Sequence, residues 1–314
     1  MDIKDKKILI TGGAGFMGRW TAKNLVEKGH KVWILDNLSN GFEKNIEEFR
    51  SKLQGFVIGD VKDKEVLLKL FENNFDICVH FAAAIDVQES IDDPEKNFND
   101  NCLGTFNILE QCRKHNTKLV FASSALVYKT SEPGCLIKEQ DPVFSSCPYV
   151  ANKLYGENLA IAYLKTYNLP VVILRPFSIY GPFQRSDSEG GVMSIFINKK
   201  LKGDPLLVFG TGEQERDFFY IEDCAEFIAR ACFEDKAIGE IFNAGYGKGI
   251  KIKDLAKKIA GNEAEIKFIE HHHPHAEIMN MAADWQKAKT ILNWEPTITL
   301  EQGIIKTTQW LKNQ

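Results

Sequence analysis

The sequence predicts an α/β protein, a Rossmann-type doubly wound parallel sheet with a smaller C-terminal α+β region. Three observations predict it. Short apolar runs alternate with amphipathic stretches through residues 1–176. The first run leads into a glycine-rich turn that opens a helix, and the second run ends on an acidic residue. Alternation of this kind implies right-handed crossovers and helices on both faces of a parallel sheet.

The elements follow in order. Residues 7–10, 32–35, 56–58, 77–81, 119–121 and 171–174 read as strands, rich in β-branched residues and apolar on both faces, as buried parallel strands are. Residues 18–29, 64–73, 94–116 and 149–167 carry helical spacing; in the second, Val66, Leu67, Leu70 and Phe71 share a face. The third starts after Asp92-Asp93-Pro94, with proline in the first turn. Beyond Arg175-Pro176 the rhythm loosens, and glycines and prolines punctuate shorter elements. The predicted division is 1–176 for a dinucleotide-binding unit and 177–314 for a substrate-binding region. A helix near 223–233 and a strand near 241–243, within 217–245, are read as returning to the main sheet.

Composition narrows the class. Hydrophobic residues make up 44% and charged residues 26% of the 314, ordinary for a globular chain. Lys+Arg is 39 against Asp+Glu 43, a net charge of −4, so a polycation binding nucleic acid is not expected. No stretch reaches the ~18 apolar residues of a membrane span, and the N-terminus lacks the apolar core of a signal peptide. Seven cysteines without CxxC spacing point to free thiols in a reducing cytoplasm. Four histidines in His271–His275 lack a second ligand cluster, so no metal site is expected.

Thr11-Gly12-Gly13-Ala14-Gly15-Phe16-Met17-Gly18 follows the first strand. Glycines at such a turn let the backbone approach a pyrophosphate, and the positive helix end holds the anion. Asp36 closes the second strand, where a carboxylate accepts the adenosine ribose hydroxyls and repels a 2′-phosphate. NAD is therefore expected over NADP, although Arg19 beside the loop is a residue that could accept such a phosphate. Asp60 after the third strand could bind the adenine amino group or cap the helix at 64. Small residues in His80-Phe81-Ala82-Ala83-Ala84 suit close approach of a ligand to the sheet's carboxyl end.

Tyr149 and Lys153 stand at i, i+4 on one predicted helix face. A cation beside a phenol favours phenolate and lowers its pKa from about 10, which suits a general base for a sugar hydroxyl. Ser124, just past the fifth strand, can donate to an oxygen that becomes a carbonyl. Taken alone the Tyr–Lys pair could be a surface pair; with Ser124 and the glycine loop in consistent order it reads as an active site.

With TGGAGFMG, LDNLSNG, GDVKD, HFAAAIDVQES, NCLGT, SSALVY, YVANK, RPFSIYGP, GTGEQERDFFYIED and LNWEP in place, the chain resembles extended short-chain dehydrogenase/reductases of the NAD-dependent epimerase/dehydratase group acting on nucleotide sugars. The resemblance implies catalysis by Ser124, Tyr149 and Lys153. It implies NAD contacts from Gly12, Gly15, Phe16, Met17, Asp36 and Asn37. Asp60, Val61, Phe81, Ala82, Ala83, Lys153 and Phe177 complete that set. For the substrate it implies Ser178 facing the sugar or its phosphate, Val192 and Phe209 near the base, and Arg216 on the pyrophosphate. An arginine suits bidentate phosphate binding, and pairing with Asp217 is the alternative. Arg185 in Gln184-Arg185-Ser186-Asp187 resembles the QRPD stretch of uronic-acid 4-epimerases, or else it pairs with Asp187.

Dehydratases of the group resemble STDEVYG and decarboxylases STSEVYG, whereas this chain has Ala125-Leu126 at the acidic positions. Water elimination needs a proton donor that Ala-Leu lacks. The resemblance therefore implies an epimerase acting on a UDP-hexose (glucose/galactose or the N-acetyl analogue) through a transient 4-keto sugar. UDP-glucuronate 4-epimerase, a 2-epimerase, a 3,5-epimerase with Cys147 as a candidate acid/base (otherwise a core or loop thiol), a reductase, and a non-enzymatic sensor are the alternatives. A homodimer through residues 94–116 and 149–167 is implied by analogy. Three departures stand out: His273-Pro274-His275-Ala276-Glu277 carries no arginine where many relatives have Arg-Pro-Gly, Lys129 replaces a glycine, and Arg19-Trp20 is unusual after the loop.

Overall fold

The computed structural model describes residues 5–187, 191–270 and 277–314. Its centre is a seven-stranded parallel sheet built from β1 (Lys7–Thr11), β2 (Lys31–Asp36), β3 (Gly55–Ile58), β4 (Ile77–His80), β5 (Lys118–Ala122), β6 (Val171–Pro176) and a late strand, Ile241–Ala244. The spatial order is β3-β2-β1-β4-β5-β6 followed by that late strand. The order reverses between β1 and β4, where a doubly wound sheet opens its ligand crevice at the carboxyl ends.

α1 (Phe16–Glu27), α2 (Lys64–Phe71), α3 (Val87–Asp92), α4 (Pro94–Phe98), α5 (Gly104–His115) and α6 (Pro148–Tyr167) connect the strands. α2 starts at Asp63, whose side chain accepts from Glu65 N and Val66 N, and α4 starts at Asp93, which accepts from Lys96 N. The single helix expected over 94–116 is instead α4 and α5 joined by a π-helical turn, Asn99–Leu103. The wide turn lets Asn101 bond both Ala84 N (2.8 Å) and Ala84 O (2.9 Å), a demand no periodicity reveals.

The second half contributes β7 (Ser178–Tyr180), α7 (Val192–Lys202), β8 (Leu206–Phe209), β9 (Glu215–Tyr220) and α8 (Ile221–Phe233). The late sheet strand Ile241–Ala244 is β10, and it pairs with β6 in register Ile241↔Ile173. α8 lies beside α1. β11 (Gly249–Lys251), α9 (Ile252–Ala260), β12 (Ile266–Ile269), β13 (Asn280–Met281), α10 (Gln286–Leu292) and α11 (Leu300–Lys312) finish the chain. β7, β11 and β13 all pair with β9, and β8 pairs with β12.

One apolar core, including Ile8, Val79 and Phe227, joins one sheet face to this second half. A second, including Leu9, Phe71 and Phe121, fills the opposite face under α2, α5 and α6. Ile161 and Leu164 of α6 pack against that second core.

Candidate active site

A cleft of about 1000 Å³ runs along the carboxyl ends of β1, β2, β4 and β5 and continues beneath α7, β8 and β9. All the residues that the resemblance implies for catalysis, cofactor and substrate line it, from Gly12 to Arg216.

The glycine loop is built for backbone contact. Gly12 has φ +70°, and a Cβ there would lie 2.8 Å from Ala82 N. A Cβ on Gly18 would lie 2.1 Å from Gly12 O, so the helix start can close on the loop only with glycine. Gly15, Phe16 and Met17 form the wall above it. Asp36 is buried and accepts from Ala14 N and Leu38 N, both at 2.8 Å. Burial raises its pKa above the ordinary carboxylate value, opposed by backbone N–H groups of Leu38, Ala14 and Gly15. Its remaining lone pairs face a cleft that suits ribose hydroxyls.

Arg19 does not offer itself to a ligand here. Its side chain is fully buried, Nε donates to Asn45 O at 2.9 Å, and the guanidinium pairs with Glu48. It stacks 3.9 Å from the Phe183 ring centroid and 4.5 Å from Trp20, and burial lowers its pKa to about 10. Trp20 Nε1 donates to Pro182 O at 3.0 Å. The unusual Arg19-Trp20 pair thus ties α1 to the turn that carries Phe183 into the cleft wall.

Asp60 accepts from Asn37 Nδ2 at 3.0 Å and from Lys62 N at 2.8 Å; the cap of α2 is Asp63, not Asp60. Val61 is buried beneath the same wall. Phe81, Ala82 and Ala83 continue β4, and the strand end is fixed from below. His80 Nδ1 contacts Thr11 Oγ1 at 2.7 Å and Nε2 contacts Thr105 Oγ1 at 3.1 Å. Burial drives the His80 pKa down to about 3, so the ring is neutral and structural.

Tyr149 and Lys153 project from the first turns of α6. Lys153 Nζ donates to Ala122 O at 2.9 Å and stands 5.9 Å from the Tyr149 ring centroid. Burial lowers the Lys153 pKa to about 8, with Glu157 and Cys102 opposing. Burial pushes the Tyr149 phenol up to about 12, while the Ser124 hydroxyl pulls it down. The expected lowering is therefore reversed in the protein alone: desolvation of the phenolate is the largest contribution. Ser124 Oγ also accepts from Leu126 N at 3.2 Å.

Beneath this set, Arg175 holds Glu157 in a bidentate pair, Nε–Oε1 2.8 Å and Nη2–Oε2 2.6 Å. The Arg175 guanidinium lies 4.7 Å from the Tyr128 ring centroid, and Tyr128 OH donates to Asn243 Oδ1 at 2.7 Å.

On the other side of the cleft, Phe177 and Ser178 follow β6, Val192 opens α7, and Phe209 ends β8. Arg216 is the second residue of β9, between Ile250 and Met281 on the flanking strands. Its Nη1 donates to Glu215 O (2.9 Å) and Ile278 O (2.7 Å), and Nη2 pairs with Glu277. Asp217 is not its partner: that carboxylate is buried and accepts from Tyr246, Gly247 and Ala283 N–H groups at 2.8–2.9 Å. Burial raises the Asp217 pKa to about 6. Arg185 is held by Asp187 at 2.9 and 3.1 Å and by Asn40 at 3.3 Å, at the cleft wall beside Phe42.

Sequence reasoning missed Glu277, whose ion pair with Arg216 spans 61 residues, and it missed Ser123, Glu89 and Lys96 in the cleft wall. Glu89 pairs with Lys96. The HFAAAIDVQES stretch itself was the available signal for Glu89. The histidine patch 271–275 lies outside the described residues. No helix of the described residues is long and apolar enough to cross a membrane.

Residues 8–245 match the NAD dependent epimerase/dehydratase family. The chain is similar to Pal from Bacillus thuringiensis, 49% identical, covering 98% of this chain and 99% of that one with a TM-score of 0.96. It is also similar to UDP-glucose 4-epimerase of Thermus thermophilus in complex with NAD, 31% identical, 98% and 99% covered, TM-score 0.90. Among curated relatives, a putative UDP-glucose 4-epimerase of Methanocaldococcus jannaschii is 36% identical over 312 residues, 98% of each chain.

Proposed function

The chain belongs to the NAD-dependent epimerase/dehydratase family, and we propose that it is a nucleotide-sugar 4-epimerase acting on a UDP-hexose. The observation that carries this reading is the Ser124–Tyr149–Lys153 set at the floor of the cleft, followed directly by Ala125-Leu126. The turn that bears Ser124 offers no acid to a leaving hydroxyl. Glu89 is engaged with Lys96, and Asp86 accepts from Glu89 N at 2.8 Å as the cap of α3.

The residues present fit NAD. Gly12 and Gly18 form a cradle that any Cβ would fill, Asp36 suits the ribose, and Lys153 suits the far ribose of the dinucleotide. When bound, NAD supplies hydride acceptance and return at the sugar carbon, with a positive nicotinamide charge near the phenol. Tyr149 takes the proton of the sugar 4-hydroxyl and later returns it. Ser124 donates to the same oxygen as it becomes a carbonyl. Lys153, cationic below about pH 8, keeps the phenolate accessible. Arg216 holds the diphosphate once Glu277 releases it, and Val192 and Phe209 flank the base. This anchoring lets the 4-keto sugar turn while the nucleotide stays in place.

UDP-glucuronate is the second reading: Arg185 lines the cleft, and its pair with the exposed Asp187 can be displaced by a sugar carboxylate as Glu277 is displaced by the diphosphate. A homodimer is part of the reading. α6 carries buried Val150 and Ala160 on one side and exposed Tyr155 on the other, and Phe98, Leu103 and Phe106 are exposed beside it. Such an apolar face suits a second copy. A cytoplasmic location fits the seven free cysteines.

The test is to incubate the purified protein with UDP-glucose, UDP-N-acetylglucosamine or UDP-glucuronate, each without added NAD. A new isomer of unchanged mass is expected from one of the hexoses. A product lighter by water or carbon dioxide overturns the reading of Ala125-Leu126, and a need for stoichiometric reduced cofactor overturns the epimerase.

A further inference from the structure

We propose that Asn97 and Asn152 are positioning residues. Together with Asn101 they tie the helix bearing Tyr149 and Lys153 to the cleft wall at Ala84, and so hold the reacting groups and the cofactor in one frame. The inference rests on the NAD and epimerase reading above.

Three carboxamides meet where α4, the π-helical turn and α6 pack together. Asn97 and Asn101 are buried, and Asn152 is half-buried. Asn152 Nδ2 donates to Asn97 Oδ1 at 2.8 Å, and Asn101 Nδ2 donates to the same oxygen at 3.1 Å. Asn101 grips Ala84 at both its N–H and its carbonyl, and Asn97 Nδ2 donates to that carbonyl at 3.4 Å. The Cys102 thiol, next along the turn, donates to Asn152 Oδ1 at 3.2 Å. Each of the three amides thus serves as donor and acceptor at once, which fixes the orientation of all three. A buried polar network satisfied in this way rigidifies the elements it joins and specifies one arrangement of them.

The two ends of this network show what is being held. Asn152 immediately precedes Lys153 and lies three residues after Tyr149. The same turns of α6 are fixed elsewhere by Lys153 Nζ donating to Ala122 O at 2.9 Å and by Tyr149 N donating to Ser90 Oγ at 3.3 Å. Ala84 lines the cleft directly after Ala82 and Ala83. The network therefore sets the distance between the wall that continues β4 and the phenol–ammonium pair. Its contribution to gross stability is small, since replacing both partners of a buried hydrogen bond by apolar groups of the same shape is nearly neutral. What it supplies is register, and an error of about 1 Å between reacting groups costs about 100-fold in rate.

The experiment uses Asn97→Leu, Asn152→Leu and the double variant, with NAD⁺ and ADP as probes. Asn152→Leu, at the half-buried end, carries the test if Asn97→Leu does not fold. ADP keeps the groups that the glycine loop and Asp36 would meet and lacks the nicotinamide and its ribose. Affinities are read by calorimetry on protein freed of nucleotide, and melting temperatures are taken without ligand. The constants kcat and KM are measured with the nucleotide sugar that wild type converts. The expected result is NAD⁺ binding weaker by roughly 3- to 10-fold, the worth of one neutral hydrogen bond, with ADP binding unchanged. Turnover should fall by about 10- to 100-fold in kcat while KM holds. The double variant should lose no more than the worse single variant on either readout, because the two residues act through one bond, and it should melt no lower than either. An unchanged NAD⁺-to-ADP affinity ratio, or an unchanged kcat, overturns the proposal whatever the melting temperature does, because the network is then structural only. A parallel loss for NAD⁺ and ADP, or losses that multiply in the double variant, also overturns it. Wild type that binds NAD⁺ and converts no nucleotide sugar refutes the epimerase reading and leaves the affinity ratio to decide the proposal. Wild type that binds no NAD⁺ refutes the cofactor reading itself and takes the proposal with it.

Discussion

Replacing Glu157 by Gln tests how the buried charges beneath the site are balanced. Arg175 and Glu157 are joined by two hydrogen bonds at 2.8 and 2.6 Å, with side-chain exposures of 5% and 4%. Removing one partner of a buried pair strands the other, at a cost of about 3–5 kcal/mol. An unfolding entropy of about 2.1 cal/mol/K per residue gives this chain about 0.66 kcal/mol/K, so the melting temperature should fall by about 5–8 °C in a thermal scan. The double replacement Glu157→Leu with Arg175→Met should recover most of that loss, since neither charge is then left buried alone. The same variant has a catalytic readout. Burial lowers the Lys153 pKa to about 8 and Glu157 opposes that shift, so Glu157→Gln should lower it further. In the proposed mechanism activity needs the ammonium, so the alkaline limb of the pH–rate profile should move to lower pH. Linkage has the opposite sign for stability. Between about pH 8 and the ordinary lysine value near 10.4 the unfolded chain holds the extra proton, so the Lys153 contribution to stability rises with pH. A Glu157→Gln melting temperature within 1 °C of wild type, or an alkaline limb that stays put, would refute this account.

Tyr149→Phe should abolish turnover and leave bound NAD in place, as read by the nucleotide released on denaturation; residual activity above about 1% would remove Tyr149 as the base. Gly12→Ala puts a Cβ 2.8 Å from Ala82 N at φ +70°, a conformation costing an L residue about 1–2 kcal/mol before the clash; co-purified NAD should fall well below one per chain. Trp20→Phe removes the bond to Pro182 O, and should raise KM for the nucleotide sugar several-fold with a smaller change in NAD affinity. Phe106→Glu places a charge on the exposed face between α5 and α6, and sedimentation should report a monomer for the variant and the proposed dimer for wild type.

What the sequence made legible is what chemistry fixes at short spacing. The glycine turn, Asp36 and the Tyr149–Lys153 pair are set by one strand, one loop or one helical turn, and all line the cleft. The six early strands were legible because two buried faces force continuous apolar runs. Boundaries slipped where a tertiary partner decided them, as at the Asn99–Leu103 turn that wraps Asn101 around Ala84. The pKa of Tyr149 runs opposite to the expectation because spacing reports a neighbouring lysine and says nothing of burial.

The substrate side is built from pairs distant in the chain, and that is why it was read less well. Arg216 meets Glu277 across 61 residues, and Trp20 meets Pro182 across 162. Neither partner carries a local signature, since any acidic residue or any carbonyl would read the same. The consequence is a division of labour that mutation can expose. Changes at the locally encoded cradle should alter NAD retention, whereas changes at the Arg216–Glu277 pair should alter KM for the nucleotide sugar and leave NAD in place. An anion must displace Glu277 to reach Arg216, so Glu277→Gln should bind UDP more tightly than wild type, and weaker UDP binding would mean that Glu277 serves to orient Arg216 for the diphosphate.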